Sequence, residues 1–191
     1  ALRWLDGALE KAEGRLDALR QAVANAPGWS VAARELAEAL EDADRREEAV
    51  EVLERATVRA PLDALAHGFL AERLWDAGRS REALDHAKLA VRLEPGYDWA
   101  WHHVQMWADR LDSPEEPAEL VRALARDRSG DARVWLRLAR MLHHPRHNDE
   151  VLAALDKALA LEPRNVEAHD LKAERLAEMG RFDAALEAAL P

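Results

Sequence analysis

Histidine and arginine are the residues of this chain whose types and spacing invite chemistry. Histidines gather at His102-His103 and at His143-His144 with His147. Two imidazoles one helical turn apart bind zinc, but Pro145 interrupts that spacing in the second cluster, and no glutamate completes the H-E-x-x-H pattern of a metalloprotease. No histidine has an evident nucleophile partner, and the sequence contains no G-x-S-x-G elbow, no Walker loop and no dinucleotide fingerprint. Cysteine is absent, which removes thiol catalysis, disulfides and thiolate-bound zinc. The expectation is a segment that is not itself an enzyme and needs no cofactor or metal. Arg133, Arg137 and Arg140 are a different matter, because planar guanidinium forks grip carboxylates through paired hydrogen bonds. Between residues 132 and 165 six basic side chains face four acidic ones, in a chain whose net charge is −10.

The elements that must position these residues show in one interval. Pro27, Pro61, Pro95 and Pro163 are spaced 61−27=34, 95−61=34 and 163−95=2×34, with Ser129 in the vacant slot. A period of about 34 residues is one helix-turn-helix unit of a solenoid. The columns between the prolines repeat as well: Ala37, Ala71, Gln105, Ala139 and Ala173 in one, Leu36, Leu70, Val104, Leu138 and Lys172 in the one before it. Trp101 and Trp135 share a column with His67 and His169; Gly78 and Gly180 share another, in which Asp44, Asp112 and Arg146 fill the remaining slots. Ala49, Ala83 and Ala185 repeat in a third.

On these residues the chain resembles the tetratricopeptide-repeat family. Trp101 and Trp135 match its core aromatic, the glycines its interhelical turn and the alanines the small residue of its second helix. The resemblance implies an all-α solenoid of stacked helical hairpins forming a right-handed superhelix. The repeats are expected at 30–63, 64–97, 98–131 (divergent) and 132–165, with a partial one at 166–191. Residues 1–29 form an atypical or capping segment that reads either as one long helix or as a shortened hairpin. Locally, Asp63, Asp98 and Asp131 are expected at helix starts. Ser113-Pro114-Glu115-Glu116 is expected to form a capping box with proline in the first helical position. After His143 the turn is expected to have its own geometry, since Arg146 follows Pro145.

Composition agrees with helices. Hydrophobic residues make up 49% of the chain but aromatics only 5%, and Ala and Leu carry most of the apolar content. No apolar run approaches the roughly 20 residues of a membrane span, and charges are mixed into the first residues, unlike a signal peptide. The net charge of −10 opposes binding to nucleic acid or to anionic lipid. A cytoplasmic location is expected. The chain begins without methionine and stops mid-pattern at Pro191, and so reads as a segment of a longer protein.

The resemblance also implies where ligands lie, since first helices of successive repeats line a concave groove in this family. Carried over column by column, the groove presents Arg34, Glu38, Glu41 and Asp42, then Gly68, Glu72, Trp75 and Asp76. Trp99, His102, Met106, Asp109 and Arg110 follow, then Arg133, Leu136, Arg140, His143 and His144, and lastly Glu167, Asp170, Glu174 and Glu178. The expected ligand-binding residues are Trp75, Trp99, His102, Met106, Arg110, Arg133, Arg140 and His143, with the two indoles facing solvent and the arginines anchoring acidic groups of a peptide. The same charges also describe the solvated helix faces of an acidic protein. Trp107 and Met141 share a column suited to packing between hairpins, and Trp29 is expected to plug a linker. Arg34 lacks the asparagine partner of the family's carboxylate-clamp subtype, having Glu38 there. The functional expectation is a protein-protein interaction module or scaffold, with self-association through the short last repeat. The alternative is a helical regulatory or framework domain of a larger enzyme, since Ala100-Trp101-His102-His103 faintly resembles the helical repeats of prenyltransferase alpha subunits.

Overall fold

The structure is a computed structural model that describes the backbone of residues 2–142 and 144–189, and side chains from residue 11 onward within those spans. Among the described residues every regular element is helical. The chain divides into two compact units, Ala1–Asp112 and Ser113–Pro191. The first holds α1 (Leu2–Asn25), α2 (Ser30–Asp42), α3 (Arg46–Arg59), α4 (Ala64–Asp76), α5 (Ser80–Leu93) and α6 (Asp98–Arg110). The second holds α7 (Glu116–Asp127), α8 (Ala132–Met141), a 3-10 turn (Pro145–His147), α9 (Asn148–Leu161), α10 (Val166–Glu178) and α11 (Phe182–Ala188). In the first unit α2 packs on α3 and α4 on α5; in the second α8 packs on α9 and α10 on α11.

Within residues 1–29 the described backbone forms one long helix, α1 (Leu2–Asn25), and a short turn, with no hairpin. Gly14 lies within it and has no left-handed backbone, so nothing ends the helix there.

The interhelical turns follow from one conformational requirement. Asp44, Gly78, Asp112 and Gly180 have φ of 58°, 78°, 53° and 74°, the left-handed values that let a helix end sharply. Their spacing is 78−44=34, 112−78=34 and 180−112=2×34. The residues that follow three of them, Arg45, Arg79 and Arg181, donate their N–H groups back to the carbonyls of Leu40, Leu74 and Leu176 at 2.8, 2.9 and 2.9 Å. Those leucines are buried, so each turn closes over an apolar plug. In the slot between Asp112 and Gly180, Arg146 instead sits in the 3-10 turn opened by Pro145.

Helix starts agree with expectation at Asp63, whose carboxylate accepts from Leu65 and Ala66 N–H, and at Asp131, which accepts from Arg133 N–H. Asp98 is the first residue of α6, as expected, and Tyr97 before it makes no side-chain capping bond. The helix expected to start at Pro114 begins instead at Glu116, and Glu115 before it makes no side-chain capping bond. Proline explains this: a helix begun at Ser113-Pro114 would require a hydrogen bond from Pro117, which has no N–H and would clash with the carbonyl four residues back. Starting at Glu116 places Pro117 in the first turn, where no bond is missed.

The core is built from the repeating columns. Ala37, Ala71 and Ala139 are buried between helices, as are Leu36, Leu70, Val104 and Leu138. Gln105, the odd member of the alanine column, is exposed. A long polar amide has no place at a close helix contact, and the boundary between the two units falls within this same third period. Trp29 is 56% exposed, so it plugs nothing.

Candidate functional site

The first helices of the first unit lie side by side, tied at two points. Arg73 on α4 pairs with Glu41 on α2 at 2.8 Å, and Trp75 on α4 stacks on Trp107 of α6 with ring centroids 4.7 Å apart and planes 6° apart. Trp99, His103 and Trp107 follow one another at i, i+4 and i+8, on one face of α6. His103 donates from Nδ1 to the Trp99 carbonyl one turn back (2.8 Å), and its ring stacks on the Trp99 indole at 4.0 Å. Trp107 meets His103 and Trp99 edge-on, at 4.9 and 6.1 Å. Tyr97 stacks on the same Trp99 at 5.7 Å and lies across Gly68, where a Cβ would stand 2.6 Å from the phenol oxygen. These contacts make an aromatic cluster shared between α4 and α6.

This corrects the expected solvent-facing indoles. Trp75 and Trp99 are half-buried, Trp75 stacked on Trp107 and Trp99 on both His103 and Tyr97, while Trp107, placed by its column between hairpins, is buried at the cluster's centre. Met106 is half-buried beside them in sequence, His102 is exposed, and the exposed Arg110 holds its guanidinium 5.9 Å from the Trp75 ring. Gly68 is covered by Tyr97, so it presents no surface.

Two residues of this face were absent from the expected set. Val31 and Leu65 are 36% and 44% exposed and share a column with Trp99, since 65−31=34 and 99−65=34. An apolar row therefore runs along the N-terminal ends of α2, α4 and α6. The column spacing alone could have found it. Charge collects at the opposite ends, where Glu41, Asp42, Asp76 and Asp109 stand in the last turns of the same helices. Burial pushes the Glu41 carboxyl above the usual range; Arg73 opposes this, and Asp76 and Glu72 add to it. Arg34 is shared between Glu35 and Glu38, both at 2.7 Å, and lies over Phe69.

In the second unit the expected anchors already hold carboxylates of this chain. Arg133 forks onto Asp131, the residue capping its own helix, at 3.1 and 2.9 Å, and Arg140 pairs with Glu167. Leu136, expected in the groove, is buried. His143 lies outside the described residues. A cleft of about 310 Å³ lies between α8 and α10, lined by Arg140, Leu171 and Glu174 among others. In the first unit one of about 500 Å³ opens between α1 and α3. Neither is lined by an aromatic side chain. No group of three or more metal-ligating side chains occurs among the described residues, and none of their helices is long and apolar enough to cross a membrane.

The hairpins, their left-handed turns and the period shared by core and turn columns decide the architecture. This is the tetratricopeptide-repeat fold. No family model matches the sequence, and no curated protein does. Solved structures with the tetratricopeptide-repeat fold do. The chain is similar to a MamA fragment from Desulfovibrio magneticus RS-1 at 16% identity, covering 83% of this chain and 90% of that one with a TM-score of 0.50. Another MamA structure has 13% identity, coverage of 83% and 87%, and a TM-score of 0.50. YrrB, described as a TPR protein with an unusual peptide-binding site, has 16% identity, coverage of 91% and 89%, and a TM-score of 0.49. Identities this low speak to the fold alone.

Proposed function

We propose that this chain is a protein-protein interaction module that binds a peptide or helix of a partner across the first-helix face of its first unit. The observation that carries this reading is the aromatic cluster continued by an apolar row on adjacent helices, the exposed Val31 and Leu65 with the half-buried Trp99. Indoles and apolar side chains held in place by neighbours present contact area whose ordering is complete before the ligand arrives, and Trp is enriched among residues that dominate binding energies. His102, Met106 and Arg110 border this surface. Arg133 and Arg140 belong to the reading only as secondary contacts, since a ligand carboxylate would have to displace Asp131 or Glu167.

The test is a pull-down with the full chain, followed by calorimetry on the recovered partner. Trp99→Ala and Leu65→Asp are each expected to weaken binding at least tenfold, about 1.4 kcal/mol, with the helical content unchanged by circular dichroism. Wild-type affinity in both variants would place the interaction on another surface.

A further inference from the structure

The charge on this face selects the ligand. The spans of α2, α4 and α6 carry eight carboxylates (Glu35, Glu38, Glu41 and Asp42; Glu72 and Asp76; Asp98 and Asp109) against three arginines (Arg34, Arg73 and Arg110), 3−8=−5. Two of those arginines are already engaged. Arg34 is shared between Glu35 and Glu38, and Arg73 between Glu41 and Glu72. The side-chain carboxylates of Asp76 and Asp109 make no hydrogen bond or ion pair among the described residues, and both stand in last helical turns, where the helix dipole adds negative potential. Trp75 stands next to Asp76, and an indole face attracts cations electrostatically. Arg110, at 5.9 Å from that ring, shows a cation already drawn to it. Crowding of Glu41 by Asp76 and Glu72 agrees with a surface short of positive charge.

Resting on the interaction reading above, we infer that the ligand of this face is a basic peptide segment, with apolar side chains laid on Val31, Leu65 and Trp99 and Lys or Arg side chains reaching Asp76 and Asp109. The two rows are separated along the helix axes: Leu65 and Asp76 are eleven residues apart on α4, roughly 16 Å at 1.5 Å per residue. A segment lying across the helices with apolar side chains toward one row and basic side chains toward the other satisfies both. An acidic segment meets unpaired carboxylates instead, and like-charge contact of that kind suppresses wrong partners.

The test is selection of a random-sequence peptide display library on the immobilised full chain, followed by tryptophan-fluorescence titration of a synthetic copy of the winning peptide. Winners are expected to be net positive, with Lys or Arg near an apolar residue, and their affinity to fall with salt. Asp76→Asn with Asp109→Asn, which breaks no ion pair, is expected to weaken binding tenfold or more and to flatten the salt dependence; Trp99→Ala is expected to weaken binding with the salt slope retained. Neutral or acidic winners that still lose affinity in Trp99→Ala would overturn the basic ligand and leave the interaction face standing. Winners indifferent to Trp99→Ala and Leu65→Asp, or no winners at all, would overturn both.

Discussion

His67 and Trp101, one period apart, use their rings identically: each donates from the ring nitrogen to the carbonyl six residues back, His67 to Pro61 at 3.1 Å and Trp101 to Pro95 at 2.9 Å. In the second unit Trp135 does the same to Ser129 at 2.9 Å, and His169 holds Nε2 2.9 Å from the Pro163 carbonyl with Nδ1 2.7 Å from the Ala188 carbonyl. The bond ties the linker before each first helix to the core of that helix, and it explains why the column accepts imidazole or indole. Trp101 and Trp135 are buried, so Trp101→Ala and Trp135→Ala are each expected to cost about 3–5 kcal/mol. Trp101→Phe keeps most of the volume and loses the donor, with an expected cost nearer 1–2 kcal/mol. Urea melts of the purified variants measure both.

The four left-handed turn residues respond in opposite directions. Gly78→Ala and Gly180→Ala put a Cβ where it crowds the following carbonyl oxygen, an expected loss of about 1–2 kcal/mol each. Nothing stands within 4 Å of either position, so the loss comes from the backbone alone. Asp44→Gly and Asp112→Gly relieve the same strain and are expected to gain up to about 1 kcal/mol. The ion pair Asp44 gives up, to Arg46 at 3.8 Å, is well exposed and offsets little of this. Thermal denaturation of the four single variants reads the sign directly.

The architecture was legible because most periods repeat three physical requirements, each met at four of five positions: a left-handed turn, a small residue between helices, a ring with a donor. Where one residue broke its column the sequence showed that too, as with Arg146 after Pro145. Side-chain partnerships were less legible. Groove columns place Trp75 and Arg133 on a face, but only the fold brings Trp107 over one and Asp131 beneath the other. The Trp99, His103 and Trp107 stripe was available from its i, i+4, i+8 spacing. The Val31 and Leu65 row was available from the period. The start of α7 depended on Pro117, a missing donor that outweighed the serine signal upstream.

His86 gives the fold a dependence on pH. Its Nδ1 lies 2.9 Å from Nδ1 of His67, which uses Nε2 as the donor to Pro61, so His67 accepts at Nδ1 and neutral His86 donates there. Burial and the neighbouring His67 hold His86 below the ordinary histidine value, while Glu82, Asp85 and Glu54 pull weakly the other way. A depressed value means that the unfolded chain binds the proton more readily than the folded one. Stability is therefore complete above the unfolded value, about 6.5, and declines as the pH falls from there through the folded value. Melting temperatures of the wild type are expected to drop across this window more steeply than those of His86→Gln; parallel profiles would remove His86 as the cause.

Self-association is expected through the last hairpin. In α11, seven residues from Phe182 to Ala188, only Ala185 is buried, while Phe182 and Leu186 are 67% and 72% exposed and lie four residues apart on one face. Two large apolar side chains on a short helix make a patch that water disfavours and a second copy can cover. The neighbouring residues set the scale of the effect: Arg181, Asp183 and Glu187 carry charge around the patch, which keeps any association weak and concentration-dependent. Sedimentation velocity over a concentration series is expected to show reversible dimerisation of this chain, lost in Phe182→Glu and in Leu186→Glu with helical content preserved. A sedimentation coefficient independent of concentration, and equal in all three proteins, would show that the patch stays solvated.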